Sequence, residues 1–261
     1  MQLAGGPAAA AQNLPATSPF WSGYVVTAQT GSPRITGAHA TFTVPKVTCP
    51  KKAAEIVWWV GIDGAYGSTL AQVGLGATCS GRGKPGSYLW WEQLPNQAQT
   101  VEVDHAISPG DGVSLDICEG YGCTSRPNTP RQFQLSAVVT PPLEQTDPGY
   151  WSDLFVKQIN YATPQVTGEC IVERPTINGK PTGTDGQNLF PEYSPTDIYC
   201  TVITSDGAAI DLAKPQVGYK VNKLELRSKQ SGNYLTRTSA PRVDPVIGQA
   251  RSFTSKWLAA K

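Results

Sequence analysis

Along most of the chain, short runs rich in Val, Ile, Thr, Tyr and Trp alternate with clusters of Gly, Pro, Asn and Asp. This punctuation predicts strands joined by turns. In the first half the predicted strands are Trp21–Thr27, Ile35–Val44, Glu55–Ile62, Leu70–Leu75, Ser87–Leu94 and Gln99–Ala106. In the second half they are Gly112–Cys118, Gln132–Thr140, Gly168–Glu173, Ile198–Ser205, Lys220–Leu226 and Ser252–Leu258. Only Tyr150–Tyr161 has a pattern compatible with a helix, and Asp147-Pro-Gly before it is a turn signal rather than a clear cap.

Several strands are apolar on both faces. In Glu55-Ile-Val-Trp-Trp-Val-Gly-Ile, large apolar groups fall on each side of the pleat. In Ser87-Tyr-Leu-Trp-Trp-Glu-Gln-Leu, Tyr88, Trp90, Glu92 and Leu94 share one face and Leu89, Trp91 and Gln93 the other. A strand of this kind suits a two-layer sandwich, with one face in the core and the other lining a groove.

Three polar positions break the apolar pattern. In Thr167-Gly-Glu-Cys-Ile-Val-Glu-Arg-Pro, Glu169, Ile171 and Glu173 project together, opposite Cys170 and Val172. Two carboxylates on one face of a strand whose reverse face is core are costly unless that face borders a solvated cleft. Gln72 stands out in the same way within Leu70-Ala-Gln-Val-Gly, though an edge strand facing solvent would account for either pattern.

Composition narrows the alternatives. The 261 residues include 26 Gly and 22 Pro but one Met, which suits many short strands better than a helical bundle. Residues 1–18 are rich in Ala, Pro, Gly and Gln without periodicity and read as a disordered leader or pro-segment remnant. Residues 19–261 then form one β-sandwich domain. The 21 Lys and Arg against 20 Asp and Glu leave a net charge of +1, with no basic field for nucleic acid. No apolar run has the ~18 residues of a membrane-spanning helix.

The opening Met-Gln-Leu-Ala-Gly-Gly lacks the features of a signal peptide, which leaves a cytosolic protein or one whose signal has been removed. The cysteines favour export. Cys49, Cys79, Cys118, Cys123, Cys170 and Cys200 have no zinc-like spacing, and an even count suggests disulfides made in an oxidising compartment. The expected pairs are Cys118 with Cys123 across a local turn, Cys49 with Cys79, and Cys170 with Cys200.

Much chemistry is excluded by what is missing. His39 and His105 are the only histidines, and neither belongs to HExxH or lies near GxSxG. Gly81-Arg-Gly-Lys-Pro-Gly has no following helix to hold a phosphate. No metal or cofactor is expected. Carboxylates and amides on strands remain.

At those residues the sequence resembles a known family. Phe20-Trp-Ser-Gly-Tyr-Val, Thr43-Val-Pro, Trp59-Val-Gly-Ile-Asp-Gly, Leu70-Ala-Gln-Val-Gly, Tyr88-Leu-Trp-Trp-Glu, Ser108-Pro-Gly-Asp and Glu169-Cys-Ile-Val-Glu-Arg-Pro occur in that order. Together they resemble the glutamic peptidases, or eqolisins, from about Phe20 to Asp211 and more thinly to Trp257. The resemblance implies an all-β, antiparallel sandwich of the concanavalin or lectin-like jelly-roll kind, with a cleft on its concave sheet. It implies a secreted (extracellular or periplasmic), pepstatin-insensitive acid endopeptidase acting on proteins or peptides, expected as a monomer.

By the same resemblance Gln72 and Glu173 are the catalytic pair, and Asp63, Trp59, Trp90 and Glu92 lie in or beside the cleft. Trp59, Trp90 and Leu94 would supply its apolar walls. The chain departs from the family pattern at Cys170, where an aromatic is usual, and at Gln93-Leu94-Pro95. It departs again at Gly74-Leu75-Gly76, where an acid is expected. These changes, with the near-neutral composition, bear on substrate preference and allow a less acidic optimum.

Two other classes fit parts of the pattern. One is a β-sandwich glycoside hydrolase using Glu92 with Glu173 or Glu169. Glu169 and Glu173 themselves stand roughly 13 Å apart by strand rise, too far for most such pairs. The other is a non-catalytic carbohydrate-binding module, against which the presence of both Gln72 and Glu173 argues.

Overall fold

The computed structural model describes residues 14–80, 83, 85–120, 132–142, 152–177, 180–181, 190–228 and 231–258. Its elements are strands throughout, with no helix among the described residues. In chain order they begin with β1 (Thr17–Ser18), β2 (Trp21–Ala28), β3 (Ile35–Thr43), β4 (Val47–Thr48), β5 (Ala53–Asp63), β6 (Leu70–Ser80) and β7 (Gly86–Gln93). They continue with β8 (Gln99–Val101), β9 (Gly112–Glu119), β10 (Gln132–Thr140), β11 (Asp153–Asn160), β12 (Thr167–Glu173) and β13 (Thr176–Ile177). The last are β14 (Lys180–Pro181), β15 (Glu192–Tyr193), β16 (Thr196–Thr204), β17 (Tyr219–Leu226), β18 (Thr236–Thr238), β19 (Arg242–Val243) and β20 (Ala250–Trp257).

Two eight-stranded sheets make the sandwich. The first runs β1-β17-β2-β12-β5-β6-β7-β8, and the second β11-β10-β9-β3-β16-β20-β18 with β19 also paired to β20. Pairing is antiparallel except between β1 and β17. Thr17 and Ser18, which composition puts in the leader, are thus already part of the sheet.

The main core lies between the sheets. Trp58, Val60, Val73, Leu75, Leu89, Cys170 and Val172 of the first meet Ala40, Phe42, Leu115, Ile117, Leu135, Cys200 and Phe253 of the second. A second, smaller apolar cluster covers the opposite face of the first sheet: Val25, Val57, Trp59, Leu70, Trp90, Ile171 and Leu224. That is why β5, β6, β7 and β12 are apolar on both sides. Trp58 and Trp59 are each 1% exposed but belong to different clusters on opposite faces of one strand.

Two disulfides match the expected pairs, Cys49–Cys79 and Cys170–Cys200. The second ties β12 of one sheet to β16 of the other. Cys123 lies outside the described residues, and with it the third expected pair.

Two expectations need correction. The candidate helix at Tyr150–Tyr161 is an edge strand over Asp153–Asn160, paired with β10 along its length. Leu154 and Val156 point to solvent there, so its alternation of apolar and polar residues is blurred; Tyr150 and Trp151 lie outside the described residues. The Gln99–Ala106 strand ends at Val101, where it leaves β7 opposite Leu89 although β7 itself continues back to Gly86.

Candidate active site

Strand register arranges the outer face of the first sheet in rows. Across β12, β5, β6 and β7, one row reads Glu169, Gly61, Gln72, Glu92. The next reads Ile171, Trp59, Gly74, Trp90, and the third Glu173, Val57, Gly76, Tyr88. Gln72 and Glu173 therefore lie on either side of the tryptophan row. Both line one cavity of about 610 Å³ together with Trp90 and Glu92.

Two glycines shape the floor. A Cβ at Gly74 would stand 2.8 Å from the Trp90 indole, and one at Gly76 2.2 Å from the Tyr88 ring. Bare backbone at these positions lets both rings lie against β6.

Glu173 is half-buried, and its Oε2 accepts a 2.7 Å hydrogen bond from Trp59 Nε1. Trp21 packs edge-on against Trp59, with ring centroids 5.1 Å apart, and steadies the indole. Burial pushes the Glu173 carboxyl up to about 8; hydrogen bonds from Trp59 and Trp21 pull it down, and nearby Glu92 pushes it further up. Its ionised form therefore accumulates at higher pH than the resemblance to acid peptidases implies.

Gln72 is 4% exposed, and its Nε2 donates a 2.6 Å hydrogen bond to Glu92 Oε2. An ionised carboxylate only accepts, so Glu92 fixes which end of the amide faces it. One N–H of Gln72 is committed and the other remains. Its Oε1 is buried without a hydrogen-bond partner among the described residues. Glu92 is also raised by burial, with hydrogen bonds from Gln72 and the Ala98 backbone working against the rise.

The remaining expected site residues divide. Trp90 and Glu92 line the cavity; Trp59 lies beneath, fully buried, and Leu94 packs against the same apolar cluster. Asp63 has a different setting. It is 5% exposed, adopts a positive φ of 65° and accepts hydrogen bonds from the backbone N–H groups of Gln165, Val166 and Thr167. There it anchors the approach to β12, and hence Glu169 and Glu173, rather than lining the cavity. Tyr88, Trp21 and Glu55 are part of the site without having been singled out from sequence.

Glu169 has a setting of its own. It is fully buried, neither carboxyl oxygen has a hydrogen-bond partner among the described residues, and Thr167 lies beside it without a bond of normal geometry. Burial holds its carboxyl well above the ordinary 4.5, and the charge of Asp63 adds to the rise. At low pH Glu169 is protonated in both folded and unfolded chains. As pH rises past 4.5 the unfolded chain ionises first, so stability falls by about 1.4 kcal/mol per pH unit until the folded group ionises. Denaturant titrations at pH 5 and pH 7 are expected to show this loss, and Glu169→Gln to reduce it. An unchanged slope in the variant would place the pH dependence elsewhere.

The model of the Peptidase A4 family matches residues 19–120, which include β5, β6, β7 and Gln72. No curated protein matches the chain. Among solved structures the chain is similar to Scytalido-glutamic peptidase with a transition state analog inhibitor, at 19% identity and a TM-score of 0.62, over 92% of this chain and 98% of that one. It is similar to SCP-B, a member of the eqolisin family in complex with the tripeptide Ala-Ile-His, at 17% identity and 0.57 over the same shares. Aspergilloglutamic peptidase from Aspergillus niger matches at 20% identity and 0.52, over 78% of this chain and 99% of that one. At these identities the structural likeness speaks for the fold. The chain thus joins a Peptidase A4 family match over residues 19–120 to the β-sandwich fold of the glutamic peptidases over nearly its whole length.

Proposed function

We propose that the chain is a secreted, pepstatin-insensitive endopeptidase that hydrolyses peptide bonds with Glu173 and Gln72. The observation that carries this reading is that a half-buried carboxylate and a fixed amide face one cavity from either side of a tryptophan row. The family match over residues 19–120, which include Gln72, and the fold shared with peptidases that bind a peptide or transition-state analogue, support it. The disulfides suit export.

Glu173 takes a proton from water as the water attacks the scissile carbonyl, then returns it to the departing amine. The free N–H of Gln72 donates to the oxyanion that develops on the carbonyl oxygen. Trp59 holds Glu173 toward the cavity and Glu92 holds the Gln72 amide, so little reorganisation is needed at the moment of reaction. Trp90 offers an apolar wall for substrate.

A base works only when ionised. With the Glu173 carboxyl raised to about 8, kcat/KM on a peptide is expected to rise roughly tenfold per pH unit through the acidic range and to level near that value. Initial rates on a quenched fluorescent peptide from about pH 4 to 9 test this. A profile that is flat, or highest at the acid end, rules out ionised Glu173 as the base in the free enzyme.

A further inference from the structure

Another cavity lies on the far side of the sandwich. The alternation that sends Phe42 and Val113 into the core turns Thr41, Thr43 and Ser114 to the outer face of the second sheet. Register sets Val138, Ser114, Thr41 and Tyr199 in one row across β10, β9, β3 and β16. Thr140, Gly112 and Thr43 form the next row, and Asp197 precedes Tyr199 by one same-face step on β16. Short side chains in the middle, between Val138 and Tyr199, leave a trough of about 420 Å³. That volume falls in the range of small-ligand sites. Gly112 keeps the floor open, since a Cβ there would stand 2.9 Å from Thr140 Oγ1.

The lining is rich in one kind of group. Thr41, Thr43, Ser114, Thr140 and Tyr199 each bring a hydroxyl, which can donate and accept. Asp197 is the one charged side chain that lines the trough among the described residues. Its Oδ1 is engaged twice, by Thr254 Oγ1 at 2.6 Å and by Arg242 Nη2 at 2.8 Å, and its Oδ2 remains to accept from a ligand. The Thr254 hydrogen bond, helped by Arg242 and opposed by slight burial, holds this carboxyl below the ordinary 3.8. Tyr199 is 51% exposed, so the face of its ring is open to a ligand.

These groups select a ligand class. An anion would meet the charge of Asp197, and a cation would compete with Arg242 for it. A purely apolar ligand would strip water from the hydroxyls and return no hydrogen bonds. A neutral ring that carries several hydroxyls and an apolar C–H face satisfies both the hydroxyl floor and the aromatic wall.

We infer that this trough binds a neutral saccharide, with Tyr199 as its platform and Asp197 as the acceptor for sugar hydroxyls. The site is on the opposite face of the sandwich from Gln72 and Glu173, so it stands apart from the peptidase reading. It would tether the protein to a glycan and leave the cavity on the first sheet open.

Calorimetric titration of the full chain with cellotriose, maltotriose, xylotriose, mannotriose and chitotriose tests this, with trigalacturonate as the anionic control. At least one of the neutral trisaccharides is expected to bind with a Kd of about 1 mM or tighter. Tyr199→Ala and Asp197→Ala are each expected to weaken that binding about tenfold. Tyr199→Phe, which keeps the ring, should change it by less than about threefold. Both side chains are at least half exposed, so the variants are expected to melt as the wild type does. Glu173→Gln is expected to bind the sugar unchanged. No binding of any neutral trisaccharide at about 10 mM, or binding of trigalacturonate alone, overturns the proposal. So does binding that survives both alanine variants, or binding lost in Glu173→Gln, which would put the sugar in the cavity of the first sheet.

Discussion

Glu173→Gln is expected to abolish peptide hydrolysis while leaving the fold intact. The substitution keeps size and shape, so Trp59 Nε1 can donate to the new amide oxygen as it does to the carboxylate. What is lost is the ability to accept a proton from water. A positioned general base alone contributes about 10² to 10⁴ in rate, and here the same group would also be the acid for the leaving amine. The fold has reason to tolerate the change. Glu173 is a half-buried acid whose pKa is raised by desolvation, so replacing it with a neutral amide relieves a desolvation cost and does not create one. Circular dichroism and a melting temperature equal to or above that of wild type, with turnover at background, are the expected pair of results. An active variant would remove Glu173 from the mechanism.

Gln72→Ala is expected to cost about 10² to 10³ in kcat, the range found when one oxyanion donor is deleted. The effect should fall on kcat more than on KM, because the developing oxyanion demands more of the donor than the ground-state carbonyl does. The truncation also strips Glu92 of its 2.6 Å donor, leaving a half-buried carboxylate held only by the Ala98 backbone. Gln72→Glu separates these effects. It keeps the length of the side chain but gives up the amide donor and sets two carboxyls against each other, so it should be no better than alanine. A loss below tenfold for Gln72→Ala, or a loss confined to KM, would demote Gln72 to substrate positioning.

Much of this site could be read from strand parity. Glu169, Ile171 and Glu173 share one face as the alternation requires, and Cys170 and Val172 point into the core between the sheets. The same argument separates Trp58 from Trp59, and Trp90 from Trp91. Parity gives the face of a strand but not what covers it. Glu169 and Glu173 are on one face, yet Glu169 is fully buried and Glu173 reaches the cavity. Which acid is which depends on packing from distant segments, and only the resemblance, not the pattern, distinguished them.

Other misses have the same origin. Glu55 has the parity of Val57 and Trp59, so its face was available from sequence; its significance depends on Tyr88 reaching across from β7, which no local pattern shows. Asp63 ends β5 and precedes Gly64, a usual place for a cleft residue, but its positive φ turns the carboxylate to the backbone before β12. Asp153–Asn160 was ambiguous because an edge strand with one solvated face tolerates apolar residues at exposed positions.

The central claim, that Glu173 and Gln72 hydrolyse peptide bonds, is tested most directly by digestion of an unfolded protein in the presence of pepstatin by wild type, Glu173→Gln and Gln72→Ala, over about pH 4 to 9. The account predicts pepstatin-resistant internal cleavage by the wild type, none by Glu173→Gln, and slow cleavage at the same bonds by Gln72→Ala. Cleavage by Glu173→Gln at the wild-type rate, or no cleavage by the wild type at any pH, would contradict it.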